Sequence, residues 1–235
     1  PGKNLFQIID AIEAGQIKAL YVMGCDLLHI LPDRKRIMTA LGKLDLLVVQ
    51  DIFITDTAKM AHIVLPAATG AEKSGSFTSA DNRVQCFTAA AKPPGRVRSD
   101  ADILLRLHAM IAPGTATSDS VDALHHEITA LSGLYSETCD HDGCRMGRVK
   151  NRTGKAAFAP LAPVPLVQAA PRFSLTSGPV LHHNGSMTTW SENNMLVSGE
   201  TYVEISREDA AAIGISQGGL VKLSTDSGSI SLKAR

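Results

Sequence analysis

Three short runs dominated by apolar residues constrain this chain more than any other feature. They are Ile17-Lys18-Ala19-Leu20-Tyr21-Val22-Met23, Leu44 to Val49, and His62-Ile63-Val64-Leu65. Each has the length of a strand and stops at a turn residue or polar pair: Gly24, Gln50-Asp51 and Pro66. Helical patterns alternate with them. Residues 4–14 place Leu5, Ile8, Ile9 and Ile12 on one face and end at Gly15. Residues 33–42 turn Ile37, Met38 and Leu41 inward, and 55–61 form a short helix capped by Thr55. Strand and helix in alternation predict a parallel sheet with right-handed crossovers. Continuous rather than alternating apolarity predicts strands covered on both faces.

Two further amphipathic helices are predicted at 101–111 and 121–131. A polar run follows from Ser132 to Pro171, and Ala159-Pro160-Leu161-Ala162-Pro163-Val164-Pro165 reads as a stiff connector. From Arg172 the pattern is β: Phe173 to Ser177 and Tyr202-Val203-Glu204-Ile205 as strands, then a short helix from Arg207 to Ile213. Leu220 to Ser224 and Ser229 to Lys233 flank Asp226-Ser227-Gly228 as a hairpin. The fold class expected is therefore α/β, with an α/β domain over 1–111, a helix and extended linker over 112–171, and a β domain over 172–235.

Composition narrows the function classes. The 23 basic and 23 acidic residues cancel, so the broad positive field of a nucleic-acid binder is absent, and at 4% aromatics base-stacking platforms are not expected. No stretch reaches the roughly 18 continuous apolar residues that span a bilayer. The four cysteines, Cys25, Cys86, Cys139 and Cys144, contain no C-x-x-C pair. Cys139-Asp140-His141-Asp142-Gly143-Cys144 carries ligand-type side chains, but its spacing fits no standard zinc knuckle and it reads as a polar surface turn. Cys25 and Cys86 read as free, small core residues. The adjacent His125 and His126 point about 100° apart on a helix and do not converge on one ion. No nucleophile elbow, Walker A or G-x-G-x-x-G is present, and no catalytic or metal-ligating residue is assigned.

In an open α/β sheet, ligands bind beyond the carboxyl ends of the strands. Those ends carry Met23-Gly24-Cys25-Asp26, then Gln50-Asp51 with Thr55 and Thr57, then Ala67 to Gly75 with Glu72, Lys73 and Ser74. Gly24 lets backbone approach a ligand closely. The start of the 55–61 helix offers free N–H groups for a phosphate. The carboxylates of Asp26 and Asp51 accept hydrogen bonds of the kind a guanine donates. Polar loop ends with ordinary helix caps are the competing reading. In the second domain, the loop His182-His183-Asn184-Gly185-Ser186-Met187-Thr188 brings backbone N–H groups and hydroxyls suited to a diphosphate, or is a crossover of the β domain.

These segments stand in a familiar order. Lys18 to Gly24, Val48-Val49-Gln50-Asp51-Ile52-Phe53 with Thr55, Thr57 and Ala58, Val64-Leu65-Pro66-Ala67-Ala68, then Glu72, Gly75, Phe77-Thr78 and Asn82-Arg83-Val84-Gln85 resemble the molybdopterin oxidoreductase family. That family includes formate dehydrogenases, nitrate reductases and the G-type subunit of NADH:quinone oxidoreductase. Leu175-Thr176-Ser177-Gly178, the His183–Thr188 loop, Tyr202 to Ile205, Asp209-Ala210-Ala211 and Gly214-Ile215 resemble its dinucleotide-binding β-barrel. The resemblance covers roughly residues 5–110 and 172–235. It implies a partial Rossmann-like parallel-sheet domain followed by a partial double-psi β-barrel.

The cofactor it implies is bis(molybdopterin guanine dinucleotide) with molybdenum or tungsten. An iron–sulfur cluster is implied in an N-terminal part of the parent subunit. Gly24, Asp26, Gln50, Asp51, Thr55 and Thr57 are implied to line one guanine-dinucleotide arm. Ser177, Gly178, His183, Gly185, Ser186 and Met187 are implied as the barrel's contact loop. The implied partners are the remainder of the parent subunit and other iron–sulfur or flavin subunits, with no nucleic acid and no direct membrane insertion. The implied location is the cytoplasm, with membrane association through a complex. The chain departs from the family pattern at Cys25, His62 and Pro179, where Glu, Asp and Arg are common; Pro179 cannot donate to a phosphate. A structural subunit that keeps the fold without the cofactor is the alternative.

Overall fold

The computed structural model describes residues 2–80, 83–114, 120–132, 135, 139–140, 143–144, 147–148, 173–183, 185–226 and 228–235. They fall into two compact units, residues 1–30 with 36–163, and residues 31–35 with 164–235.

The first unit is built on three parallel strands, β1 (Ala19–Met23), β2 (Leu46–Asp51) and β3 (Ile63–Pro66), in the order β1-β2-β3. Helix α1 (Leu5–Glu13) opens on a capping box: the Asn4 side chain accepts from the Gln7 amide at 2.9 Å and the Gln7 side chain accepts from the Asn4 amide at 3.0 Å. It buries Ile9 and Ile12, and α3 (Arg34–Leu41) buries Ile37, Ala40 and Leu41. Met38, expected inward, is 42% exposed, because Ala40 completes the inward stripe. Val22, Leu47 and Val49 complete this core from the sheet.

Arg36 joins the two helices, donating to Glu13 at 2.7 and 3.0 Å and to Asp10 at 2.5 Å. The hydrogen bond from Arg36 holds the Glu13 carboxyl below its ordinary value of 4.5. A depressed carboxylate stabilises the fold fully above the unfolded-state pKa, and the contribution is lost as pH falls through the folded-state pKa. Arg36→Gln should therefore lower stability modestly at neutral pH, leave it nearly unchanged at pH 3, and so flatten the acid limb of a stability-versus-pH curve, as urea midpoints at pH 3 to 7 would read.

The strands are not covered on both faces as their apolarity predicts. One face is buried, and Tyr21, Met23, Leu46 and Ile63 on the other are exposed. Beyond the sheet, α2 (Leu27–Ile30) and α4 (Asp56–Met60) follow β1 and β2. A 3₁₀ turn, Gly70–Glu72, leads to the antiparallel pair β4 (Gly75–Thr78) and β5 (Arg83–Phe87). Phe77 stacks on Phe87 with ring centroids 5.1 Å apart. The helices α5 (Asp100–Ile111) and α6 (Val121–Leu131) form as the periodicity predicts. His125 is buried and His126 exposed, so they do diverge.

Cys86 lies exposed on β5 and is disulfide-bonded, correcting its reading as a free core thiol. Backbone around the cysteine-rich turn pairs as β6 (Cys139–Asp140) against β7 (Gly143–Cys144), and β8 (Gly147–Arg148) joins β5. The ligand question at that turn, the 149–172 connector, Asn82 and the Ser227 turn position lie outside the described residues.

In the second unit, β9 (Tyr202–Val203), β10 (Leu220–Thr225) and β11 (Gly228–Ala234) form a sheet of order β10-β11-β9, antiparallel between β10 and β11 and parallel between β11 and β9. Among the described residues this sheet is open. Phe173 to Ser177, expected as a strand, is exposed non-strand backbone. The helices α7 (Glu192–Ser198) and α8 (Arg207–Ala212) are each capped by a serine, Ser191 and Ser206.

Candidate functional site at the strand ends

The carboxyl ends of the three parallel strands are drawn together by main-chain hydrogen bonds. The Gly24 amide donates to the Gln50 carbonyl at 2.8 Å, and the Ala67 amide donates to the Asp51 carbonyl at 3.0 Å. Gly24 has φ +60°, and a Cβ there would meet nothing within 4 Å, so this turn borders open space.

The expected residues divide into hydroxyl and amide braces and two carboxylates, Asp26 and Asp51, each bonded through one oxygen among the described residues. Asp26 Oδ1 accepts from the Thr57 hydroxyl at 2.6 Å and the Thr57 amide at 3.2 Å, while Thr57 Oγ1 accepts from the Leu28 amide at 3.1 Å. Thr55 Oγ1 accepts from the Ala58 amide at 3.1 Å. The Thr57 and Ala58 amides of α4, read from sequence as free for a phosphate, are thus already satisfied.

Gln50 is completely buried: its Oε1 accepts from the Tyr21 hydroxyl, and its Nε2 donates to Asp100 Oδ1 at 2.6 Å. The other oxygen of Asp100 takes the Lys73 ammonium. Tyr21 and Asp100 were not among the sequence candidates. Asp100 had a readable signal, an acid in the first turn of a helix capped by Ser99; Tyr21 had none, because inside an apolar run it reads as core.

Asp51 differs. Its Oδ1 accepts from the Ile52 and Phe53 amides at 2.7 and 3.3 Å, and its Oδ2 has no hydrogen-bond partner among the described residues. Cys25 lies in the field of both carboxylates. Burial first, then Asp26 and Asp51, push its thiol above the ordinary 9.0. Maleimide labelling of Cys25 should therefore be slow at pH 7 and rise steeply above pH 9, and Asp51→Asn should move that rise to lower pH. An unchanged profile would mean that Asp51 does not act on the thiol.

In the second unit the expected loop is ordered around His183. Its Nδ1 lies 2.8 Å from Thr188 Oγ1, the Val180 and His183 amides and carbonyls pair at 3.1 Å, and Gly185 has φ +102°. The Gly185 carbonyl accepts from the Thr189 hydroxyl at 2.7 Å. An open cavity of about 250 Å³ is lined by Leu181, His182, His183, Thr188 and Asn194. Asn194 was missed because it sits one helical turn into α7, outside the Gly-containing loop. Ser177, Gly178, Ser186 and Met187 are exposed and do not line that cavity. Among the described residues no group of three metal-ligating side chains occurs.

The profile of the molybdopterin oxidoreductases matches residues 1–109, and that of the molydopterin dinucleotide binding domain matches residues 173–235. The chain belongs to the molybdopterin oxidoreductase family. It is 42% identical over 226 residues to the NADPH-Fe(3+) oxidoreductase subunit alpha of Geobacter sulfurreducens, a span of 96% of this chain and 26% of that protein. It is 33% identical over 260 residues to the F420-dependent formate dehydrogenase subunit alpha of Methanocaldococcus jannaschii, covering 100% of this chain and 38% of the relative. Against the G 2 chain of the NADH-quinone oxidoreductase of Rhizobium meliloti it is 33% identical over 239 residues, 100% of this chain and 28% of the relative. The chain thus spans between a quarter and two-fifths of these molybdopterin-family relatives.

Acetylene hydratase from Pelobacter acetylenicus shares the fold, with TM-score 0.72 at 14% identity over 99% of this chain and 37% of that one. No helix among the described residues of this molybdopterin-family chain is long and apolar enough to cross a membrane.

Proposed function

We propose that this chain is the cofactor-holding portion of a molybdopterin-dependent oxidoreductase subunit and that Asp51 receives the guanine of a molybdopterin guanine dinucleotide. Its spare oxygen beside the open Gly24 turn carries the reading. Two carboxylates at this strand end repel a phosphate, whereas a guanine presents N–H donors that a carboxylate accepts. Asp26, Gln50, Thr55 and Thr57 hold that end in shape through hydrogen bonds to one another and to neighbouring residues.

In the second unit, His183 and Thr188, with Gly185, Ser186 and Met187 on the same loop and Ser177-Gly178 before it, suit the phosphates of a dinucleotide. The open three-stranded sheet there is a portion of a double-psi barrel. When bound, the cofactor supplies redox chemistry at molybdenum or tungsten; the residues of these two loops bind and orient it. The subunit works within a redox complex with iron–sulfur or flavin partners, of the formate dehydrogenase or quinone-oxidoreductase G type, in the cytoplasm.

The test is guanine nucleotide released by acid hydrolysis from the purified full-length protein, with molybdenum and tungsten measured alongside. Wild type should carry stoichiometric guanine, and Asp51→Ala about tenfold less after dialysis, the loss of one charge-assisted hydrogen-bond acceptor. A wild-type protein without guanine nucleotide or either metal would overturn the proposal.

A further inference from the structure

The parallel register places Ala19, Tyr21 and Met23 of β1 on the same face as Leu46, Val48 and Gln50 of β2 and Ile63 and Leu65 of β3. The opposite face is core. On this one, Tyr21 is 37%, Met23 50%, Leu46 39% and Ile63 48% exposed. At its Gln50 end this face is already covered: Gln50 is completely buried and held by Tyr21 and by Asp100, which pairs with Lys73, so the open part is the uncharged patch of Tyr21, Met23, Leu46 and Ile63.

An open apolar face on a parallel sheet is out of keeping with its physics. Such sheets are built from residues apolar on both sides because both sides are covered, and a contiguous apolar patch marks a contact. Adjacent strands lie about 4.8 Å apart, so the outer two of three are separated by about 10 Å. That is the width of one α-helix with its side chains, about 10 Å. The relatives offer a source for that helix. This chain spans 26% and 38% of two of them, and the shared fold makes up only 37% of the acetylene hydratase chain.

We propose that this face is an intramolecular docking surface for the apolar stripe of an amphipathic helix from the polypeptide that the full-length subunit carries outside the present span. The inference rests on the reading of this chain as part of a longer subunit, and not on the cofactor.

The full-length subunit tests it. Hydroxyl-radical footprinting of the wild type should oxidise Met23 about tenfold more slowly than the unfolded chain does, the protection of a covered side chain. A benzophenone attached through Ile63→Cys should cross-link to a peptide of the same polypeptide outside these 235 residues. Oxidation of Met23 at the unfolded rate would overturn the proposal. So would a cross-link to a second copy, to a different subunit or within the present span. Footprinting needs no substitution, so it decides the matter even if the variant fails to fold. Guanine content of the same preparation reads the cofactor proposal separately.

Discussion

Gln50→Ala is expected to lower stability by about 3 kcal/mol, with Gln50→Leu costing about half as much. The alanine variant removes two things at once. It empties a site where the side chain is fully buried, and it deletes the acceptor for the Tyr21 hydroxyl and the 2.6 Å donor to Asp100. Leucine restores the volume but neither hydrogen bond. The two partners do not suffer equally. Tyr21 is partly exposed and its hydroxyl can turn to water, while Asp100 keeps the Lys73 ammonium on its second oxygen. The loss in the leucine variant is therefore a partial one, and the difference between the variants measures the cavity.

Natural domains have only about 5–15 kcal/mol of net stability, so the alanine variant should show a clear shift in urea midpoint with little change in slope. Equal costs for the two variants would mean that the cavity contributes nothing and the lost hydrogen bonds account for the whole effect. Asp100→Asn gives a second reading. Burial first and the Asp100 charge second raise the Tyr21 phenol above 10.0, so removing that charge should bring its titration part of the way back.

The sequence made the scaffold legible because its signals are local. Periodicity located α1, β1 and β2 to within two residues of their observed ends, and Thr55 does cap its helix. What failed was non-local. Whether a strand is covered on one face or two depends on what else packs there, and Leu46 and Ile63 carry no mark of it. Phe173 to Ser177 has strand composition, but a strand needs a partner, and composition does not supply one. Cys86 looked like a core thiol because its flanks are apolar; pairing is decided by which cysteine the fold brings near.

The site divides along the same line. Asp26, Asp51, Thr55 and Thr57 were identifiable as polar residues at strand ends. That Thr57 spends its hydroxyl on Asp26 and Thr55 its oxygen on a neighbouring amide, while Asp51 takes only main-chain donors and on one oxygen, is a property of distances rather than of spacing.

Thr57 provides the sharpest test of that division. Thr57→Val should cost about 2 kcal/mol although it keeps the side chain's shape, because the buried Leu28 amide loses the Thr57 hydroxyl as acceptor and Asp26 loses its 2.6 Å donor. Thr57→Ser keeps the hydroxyl and removes one methyl, for about 1 kcal/mol. The order matters more than the sizes: if Thr57 were simply a packing residue, serine would be the worse replacement. Amide exchange at Leu28 should quicken in the valine variant and stay near wild type in the serine variant. The same pair bears on the ligand. A brace acts through the shape of the Gly24–Asp26 turn, so valine should reduce guanine retention and serine should restore it. Asp51→Ala, in contrast, should reduce retention while leaving the Leu28 amide as well protected as before. Were Thr57→Val to unfold the turn without touching guanine retention, the strand end would be a well-made corner of the fold and the nucleotide would have to be held elsewhere.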